Sequence, residues 1–310
     1  MRSRWLAVVA MSGVWVGCGG PAAEALNKYK QASLTSETDV KEWAERSSAP
    51  NVYAVANLAA TLVAVVGGSS GQDANCPVQQ KDGNTTRVTG GCTDKNGVEW
   101  LGSLELVSEG EDTGNFRYTY DGFGYQKPFT CEGTTGQNKV VFHGTSSVTG
   151  TKAKKEFAFD LRLESSGQQN EDSCDTTNSS GAWEYKGTID GADSSFGEGK
   201  QTWNGSGRIG YESRGVVEVE TKAEVVDGSV CDSEASSGTT TVKSGGHTAV
   251  IEYDGATDCE ESSTVQWSLD GKAKAEMEGI SCSAVSGPAF SAWSLALLGA
   301  LGLMRRRARR

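Results

Sequence analysis

Strict alternation of apolar and polar residues is the feature of this sequence that most constrains its fold. The segment EFAFDLRLE (156–164) has an apolar residue at every second position, and FRYTY (116–120) and VVEVETKAEVV (216–226) repeat the pattern. In the last segment the alternation assigns Glu224 to the polar face and Ala223 and Val225 to the apolar face. Because successive side chains of a strand point to opposite faces, this period predicts half-buried antiparallel strands.

Turn signals recur between the alternating segments. They are Asp82-Gly83, Asn96-Gly97, Asp121-Gly122, Asp190-Gly191, Asn204-Gly205, Asp227-Gly228, Gly245-Gly246 and Asp270-Gly271. Neighbouring strands usually pair, so we predict an antiparallel meander of ten to fourteen strands. The 40 glycines favour a strongly curved sheet, either open or partly closed into a barrel. The polar stretch 165–181 is predicted to be a loop between two halves of this sheet.

Residues 26–70 have a helical pattern instead. Ser36 and Asp39 have the spacing of a capping box, and a second helix with Pro50 in its first turn extends to residue 66. Its apolar residues surround most of the helix, which predicts burial against the sheet. The fold class is therefore mainly β, with N-terminal helices packed on a β domain over residues 71–282.

The N-terminal segment 1–25 resembles a secretory signal peptide, with two arginines before an apolar core. Two cleavage sites fit it. Ala23-Glu24-Ala25 is a small-x-small site before Leu26, whereas Val16-Gly17-Cys18 resembles a bacterial lipobox in which Cys18 would be acylated. A third reading is a retained N-terminal membrane helix. The first two predict export, and the lipobox reading predicts a lipoprotein.

The C-terminal tail, residues 283–310, holds an uncharged apolar span from Ala289 to Met304. A terminal cluster of arginines follows, namely Arg305, Arg306, Arg307, Arg309 and Arg310. Together with Cys282 and a spacer containing Gly-Pro, this tail resembles the MYXO-CTERM sorting signal. The resemblance covers about 30 of the 310 residues. It implies recognition by sorting machinery, cleavage near Cys282 and display at the bacterial outer membrane or cell surface. A simple transmembrane helix is the alternative, with the arginines in the cytoplasm.

The charge of the remaining body excludes several partners. Residues 1–25 and 283–310 hold seven basic residues and one acidic residue, so residues 26–282 hold 22 basic and 39 acidic residues, a net charge of −17. Nucleic acid and anionic lipid surfaces both require a basic footprint on the protein. The expected partners are therefore the export and sorting machinery and, through the termini, the cell envelope. The ligand is not indicated.

The cysteines predict a disulfide framework, because an even set in an exported chain is normally oxidised. Setting aside Cys18 and Cys282, six remain: Cys76, Cys92, Cys131, Cys174, Cys231 and Cys259. Joined as 76–92, 131–174 and 231–259, each pair encloses a predicted hairpin whose turn lies near its centre, which would bring the two cysteines together. A rival pairing joins Cys259 to Cys282 across Asp270-Gly271.

Catalytic signals are weak. The segment Gly67-Gly68-Ser69-Ser70-Gly71 matches the serine nucleophile-elbow pattern, but that elbow joins a strand to a helix, and here a non-helical segment follows. Only His143 and His247 could serve a triad. The cysteines lack the spacing of zinc sites. We therefore predict neither catalysis nor a metal or cofactor.

Two aromatic residues beside glycines, Trp203 and Tyr125, are predicted to face a ligand. The sequence thus predicts an exported, surface-anchored, disulfide-stabilised β protein with a structural, adhesive or binding role. An alternative is a carrier that holds a lipid-like molecule between the curved sheet and the apolar helix. Serine hydrolysis through Ser69 is the third and weakest hypothesis.

Overall fold

The computed structural model describes residues 19–49, 51–53, 55, 75–109, 114–170, 173–191, 199–227, 235–253, 264–273 and 276–278. Its helices are α1 (Pro21–Leu26) and α2 (Glu37–Ser47), followed by a third helical stretch that contains Ala49, residues 51–53 and Val55. The predicted capping box begins α2: the Ser36 hydroxyl accepts from the Asp39 amide, and the Asp39 carboxylate accepts from the Ser36 amide. Both bonds satisfy amides that a helix start leaves free.

The described residues form fifteen strands. The first eight are β1 (Val78–Asp82), β2 (Thr85–Thr89), β3 (Cys92–Thr93), β4 (Glu99–Glu109), β5 (Asn115–Cys131), β6 (Thr134–Gly150), β7 (Lys154–Asn170) and β8 (Ser173–Asp190). The other seven are β9 (Lys200–Tyr211), β10 (Gly215–Asp227), β11 (Ser237–Ser244), β12 (His247–Tyr253), β13 (Thr264–Leu269), β14 (Lys272–Ala273) and β15 (Met277–Glu278).

These strands form one open antiparallel sheet in which nearly every strand pairs with its neighbours in sequence. The order is β1-β2-β4-β5 and onward through β14, while β3 pairs with β4 and β15 with β13. The predicted meander is therefore confirmed, and the sheet formed by the described strands stays open. The strand count exceeds the prediction because β3, β14 and β15 are only two residues long.

Some predicted turns are turns and others are not. Asp82-Gly83, Asn96-Gly97, Gly245-Gly246 and Asp270-Gly271 lie at the tips of hairpins. Asp121-Gly122 instead lies inside β5, where two residues oppose His143 of β6 and so form a β-bulge. Asn204-Gly205 lies inside β9. A glycine can mark a bulge as well as a turn, which explains both errors.

The polar stretch 165–181 is also strand rather than loop. β7 extends to Asn170 and β8 begins at Ser173, and the two remain paired through this stretch. Polar residues are tolerated there because the Ser, Thr and Gln side chains whose burial is described, at residues 165–168 and 174–180, are half-buried or exposed. The sheet therefore continues without a boundary between two halves.

The two faces of the sheet differ in composition. We call the inner face the one whose side chains form the main core; it includes Phe157, Phe159, Leu161, Tyr185 and Trp203. The ring of Trp43 in α2 packs against Tyr211, and Tyr53 packs against the rings of Phe157, Phe159 and Trp203. The described helical residues thus cover an aromatic surface. Most of the predicted second helix, from residue 56 to residue 66, lies outside the described residues.

The opposite face, called the outer face below, carries α1. The Asp160 carboxylate accepts from the Ala22 amide at 2.9 Å, and Leu26 packs with Ala182 and Val216. The chain then crosses to the inner face beside the start of β10, where the Val216 carbonyl accepts from the Ala32 amide and the Val216 amide donates to the Lys30 carbonyl. The stretch from α1 to α2 therefore contacts both faces of the sheet. The fold also includes Pro21 to Ala25, which lie before the predicted domain boundary at residue 26.

Candidate functional site

Both described disulfides follow the predicted pairing. Cys76 bonds Cys92, and Cys131 bonds Cys174. Cys131 lies at the tip of the β5–β6 hairpin and Cys174 at the tip of the β7–β8 hairpin. Their bond therefore joins adjacent hairpin tips at one end of the sheet. Cys231, Cys259 and Cys282 lie outside the described residues, so the third pairing and its rival stay predictions.

The prediction that Trp203 faces a ligand at the surface is wrong. Trp203 points into the core from β9 and is 1% exposed, with the Tyr53 ring centroid 5.2 Å from its own. Tyr125 is half-buried beside the ring of Trp100. Neighbouring glycines indicated exposure in the sequence, but in β9 Gly205 lies within a strand and Trp203 occupies an inward position.

A β-bulge in β10 moves one acidic residue into the core. Thr221 pairs with Gly205 and Glu224 pairs with Trp203, so Lys222 and Ala223 together oppose the single residue Asn204. The extra residue reverses the alternation, which exposes Ala223 and buries Glu224 completely. The predicted outward position of Glu224 and inward position of Ala223 are therefore wrong.

The buried Glu224 carboxyl connects the sheet to the third helical stretch. Its Oε2 atom accepts from the amide of Ala49 and from the hydroxyl of Thr240, both at 3.3 Å. Its Oε1 atom is buried without a hydrogen-bond partner among the described residues. Burial raises the pKa of Glu224 from 4.5 to about 7, because desolvation disfavours the carboxylate more than these two bonds stabilise it.

A groove of about 580 Å³ opens on the outer face across β6 to β10. Two rows of side chains line it, and each row crosses the strands at matched register positions. The first row is Ser147, Ala158, Lys186, Ser206 and Glu220, and the second is Thr149, Glu156, Thr188 and Asn204, with Lys222 beside them. Five strands spaced ~4.8 Å apart make the groove about 19 Å long.

Small residues make the floor of this groove. Gly187 and Gly205 lie between the two rows, and rings on the inner side press directly against their backbone. A Cβ atom on Gly187 would lie 2.6 Å from Cζ of Phe157, and one on Gly205 would lie 2.5 Å from the Tyr185 hydroxyl. Glycine is therefore required at both positions for the inner rings to pack this closely.

The charges in the groove balance. Its lining contains two lysines and two glutamates, although the body as a whole is strongly acidic. Lys222 is paired with Glu220 at 3.0 Å between Nζ and Oε1. Lys186 is exposed and forms no hydrogen bond or ion pair with any residue that the structure describes. The groove therefore presents one uncommitted ammonium group among neutral polar groups.

Those neutral groups are hydroxyls and an amide. Ser147, Thr149, Thr188 and Ser206 contribute hydroxyls that can donate and accept hydrogen bonds. The Asn204 side-chain oxygen accepts from the Ala223 amide at 2.8 Å, so it supports the bulge while its NH₂ group remains available as a donor. The lining contains neither histidine nor cysteine. This arrangement suits the binding of a polar molecule.

The other predicted site residues either lie apart or are not described. His247 bonds Asp270 at 2.8 Å beside the β11–β12 turn, whereas His143 lies in β6 opposite the β5 bulge. Cys18, Ser69, Arg305, Arg306 and Arg307 lie outside the described residues. Within the described ranges, no group of three or more potential metal ligands is found. No helix in those ranges is long and apolar enough to cross a membrane.

Comparison with known proteins identifies no relative. Neither a family model, nor a curated protein, nor a solved structure matches the chain. The class that the fold defines is a single-sheet antiparallel β protein stabilised by disulfides.

Proposed function

We propose that this protein is exported and held at the outer membrane or cell surface, where its sheet has an adhesive or binding role without catalysis. The observation that carries this proposal is the pair of disulfides, Cys76–Cys92 and Cys131–Cys174. Disulfides persist in oxidising compartments and are rare in the cytosol. The charged termini and the tail that resembles a sorting signal support the same location.

The packing of α1 favours Cys18 as the first residue of the mature chain. Ala22 and Leu26 are at most 1% exposed, and the Ala22 amide is bonded to Asp160. Cleavage after Ala25 would remove most of α1 and leave Ala182 and Val216 uncovered. Cleavage before Cys18 would retain the whole helix and supply the lipid-bearing cysteine of a lipoprotein.

The outer groove favours a binding role over a carrier role. A carrier would need an apolar cavity between the sheet and the third helical stretch. Tyr53 instead fills the described part of that interface with ring contacts to Phe157, Phe159 and Trp203. The open groove is on the opposite face, and most of its lining residues have polar or charged side chains.

The test is the intact mass of protein purified from the membrane fraction of its native host, before and after reduction. We expect an acylated N-terminus at Cys18, a C-terminus near Cys282 and a mass gain on reduction that corresponds to three bridges. Protein with a free N-terminus at Leu26 would contradict the lipoprotein assignment. Protein recovered from the cytosol with reduced cysteines would overturn the proposal of export.

A further inference from the structure

The outer groove is the described feature that the location at the cell surface leaves unexplained. It crosses five strands on the face away from the aromatic core, and its lining residues come from β6, β7, β8, β9 and β10. The backbone groups of these strands are bonded to neighbouring strands. A ligand in the groove must therefore be recognised by side chains.

The lining restricts the chemistry of that ligand. Ala158 is the only hydrophobic side chain of the lining that points into the groove, since Phe157 points to the inner face, so a lipid tail would find no continuous row of hydrophobic side chains. Two glutamates oppose a densely charged polyanion such as nucleic acid. The other polar groups of the lining are four hydroxyls and the amide of Asn204, which are spread along a groove about 19 Å long. These features match an elongated molecule that carries many hydroxyls.

Lys186 adds a preference for a negative charge at one point of the groove. Lys186 is in β8 and Lys222 in β10, two strands across and two residues further along, so the two positions are about 12 Å apart. Lys186 has no partner among the described residues, whereas Lys222 is already paired with Glu220. The stronger attraction for a carboxylate is therefore at Lys186, because an ammonium without an ion pair gains more from an added anion.

We propose that the outer groove binds a saccharide chain that bears carboxylate groups at intervals, with Lys186 as the anionic contact. The proposal rests on the binding role proposed above and specifies its ligand class. Side-chain hydroxyls and the Asn204 NH₂ group hydrogen-bond the sugar hydroxyls, and the ammonium of Lys186 pairs with one carboxylate. Binding is non-covalent, so it consumes no co-reactant.

The first test measures affinity by titration calorimetry with the protein purified from its host. The probes are hyaluronan oligosaccharides, dextran oligosaccharides of the same length, and dextran sulfate, which are respectively carboxylated, neutral and densely charged. We expect hyaluronan to bind most tightly and dextran about 10-fold more weakly, as the loss of one charge-assisted hydrogen bond predicts. Absence of binding by all three probes at millimolar concentration overturns the proposal, as does tightest binding of dextran sulfate.

The second test uses matched variants. Lys186→Glu is expected to weaken hyaluronan binding by at least about 10-fold. Lys243→Glu makes the same charge change on an exposed outward position of β11 outside the groove, and it is expected to change the affinity less than about 2-fold. Equal losses in the two variants would show a general charge effect and overturn the assignment of Lys186.

A steric pair tests the groove independently of charge. Ser206→Trp should fill the groove and abolish binding of both hyaluronan and dextran. Thr145→Trp places the same ring at an exposed outward position of β6 that does not line the groove, and binding should persist. Circular dichroism confirms the fold of each variant. Retained binding by folded Ser206→Trp overturns the proposal. These binding results do not depend on where the protein resides. The mass measurement can therefore contradict the proposed location without contradicting the proposed ligand, and the reverse also holds.

Discussion

The same strands present two unlike surfaces at the same place in the sheet. Phe157, Tyr185 and Trp203 point inward and are at most 2% exposed. Their sequence neighbours Glu156, Lys186 and Asn204 point outward and line an open groove. Only one peptide bond separates each inward residue from its outward neighbour. The comparison teaches that a period of two divides a single stretch of chain into a packed face and an open, mainly polar face.

The two faces also limit each other. The inner rings pack so closely on Gly187 and Gly205 that no side chain fits there, and the floor of the outer groove is low at those positions. Lys222 keeps the outward position that the alternation predicts, while the β10 bulge turns Ala223 outward and Glu224 toward the core. Substitutions on either face should therefore show whether stability and binding can be separated.

The largest effect is expected on the inner face. Trp203→Ala should lower the free energy of unfolding by up to about 5 kcal/mol, because it removes a fully buried ring that contacts Phe157 and Tyr53. Guanidinium unfolding followed by far-ultraviolet circular dichroism measures it. A loss below about 1 kcal/mol would mean that Trp203 is not packed as described.

Removing the disulfide at the hairpin tips should cost slightly less. The double variant Cys131→Ser/Cys174→Ser should lose about 4 kcal/mol, and Cys76→Ser/Cys92→Ser about 3 kcal/mol, in the loop-closure account of disulfides. The reason is that the first pair spans 43 residues and the second spans 16. Thermal unfolding of both variants shows which one loses more stability. If the pair that spans 16 residues cost more, loop closure would not be the main source of the stabilisation.

Glu224→Gln should stabilise the protein at high pH. The pKa of Glu224 is raised from 4.5 to about 7 by burial, so the folded state retains a proton that the unfolded state releases. The contribution of Glu224 to the stability of the wild-type protein is therefore fully present below pH 4.5 and is lost as the pH rises through 7. The variant keeps a neutral side chain, so at pH 8 it should be more stable by about 3 kcal/mol.

The matched control for that experiment is Glu218→Gln, an exposed outward position on the same strand. Urea unfolding at pH 4.5, 6 and 8 should show the wild type and this control losing stability in parallel. Glu224→Gln should diverge from both as the pH rises. If all three proteins show the same dependence on pH, the inward position of Glu224 is incorrect.

The smallest effect on stability is expected on the outer face. Ser206→Ala should change the free energy of unfolding by less than about 0.5 kcal/mol, since the side chain is exposed and lies away from the core. Guanidinium unfolding of this variant, measured in parallel with that of Trp203→Ala, compares the two faces of β9 directly. A cost above about 1 kcal/mol would show that the outer face contributes to stability and would break the contrast.

Much of the fold could be predicted because it depends on local pattern. The alternation in EFAFDLRLE correctly placed Phe157 and Leu163 inward, and the cysteine spacing correctly paired Cys131 with Cys174. The capping box at Ser36 also follows from adjacent residues. Each of these features depends on residues close in sequence or on the centre of a hairpin.

The candidate groove could not be predicted in the same way. Its residues come from five strands, and only the pairing register shows that Lys186 lies beside Ser206 and Ala158. The aromatic residues indicated instead, Trp203 and Tyr125, are buried or half-buried. The one local signal was the pair of glycines at 187 and 205, and the second was interpreted as part of a turn.

The sequence by itself determined the meander, the two described disulfides and the separation of an aromatic face from a polar one, because side-chain period and cysteine position are local properties. The tertiary structure alone decided that Glu224 lies in the core, that the N-terminal segment contacts both faces, and that a groove crosses β6 to β10. The physical reason is that bulges and register arise from hydrogen bonding between strands. One extra residue opposite a neighbour reverses every inward and outward position that follows it.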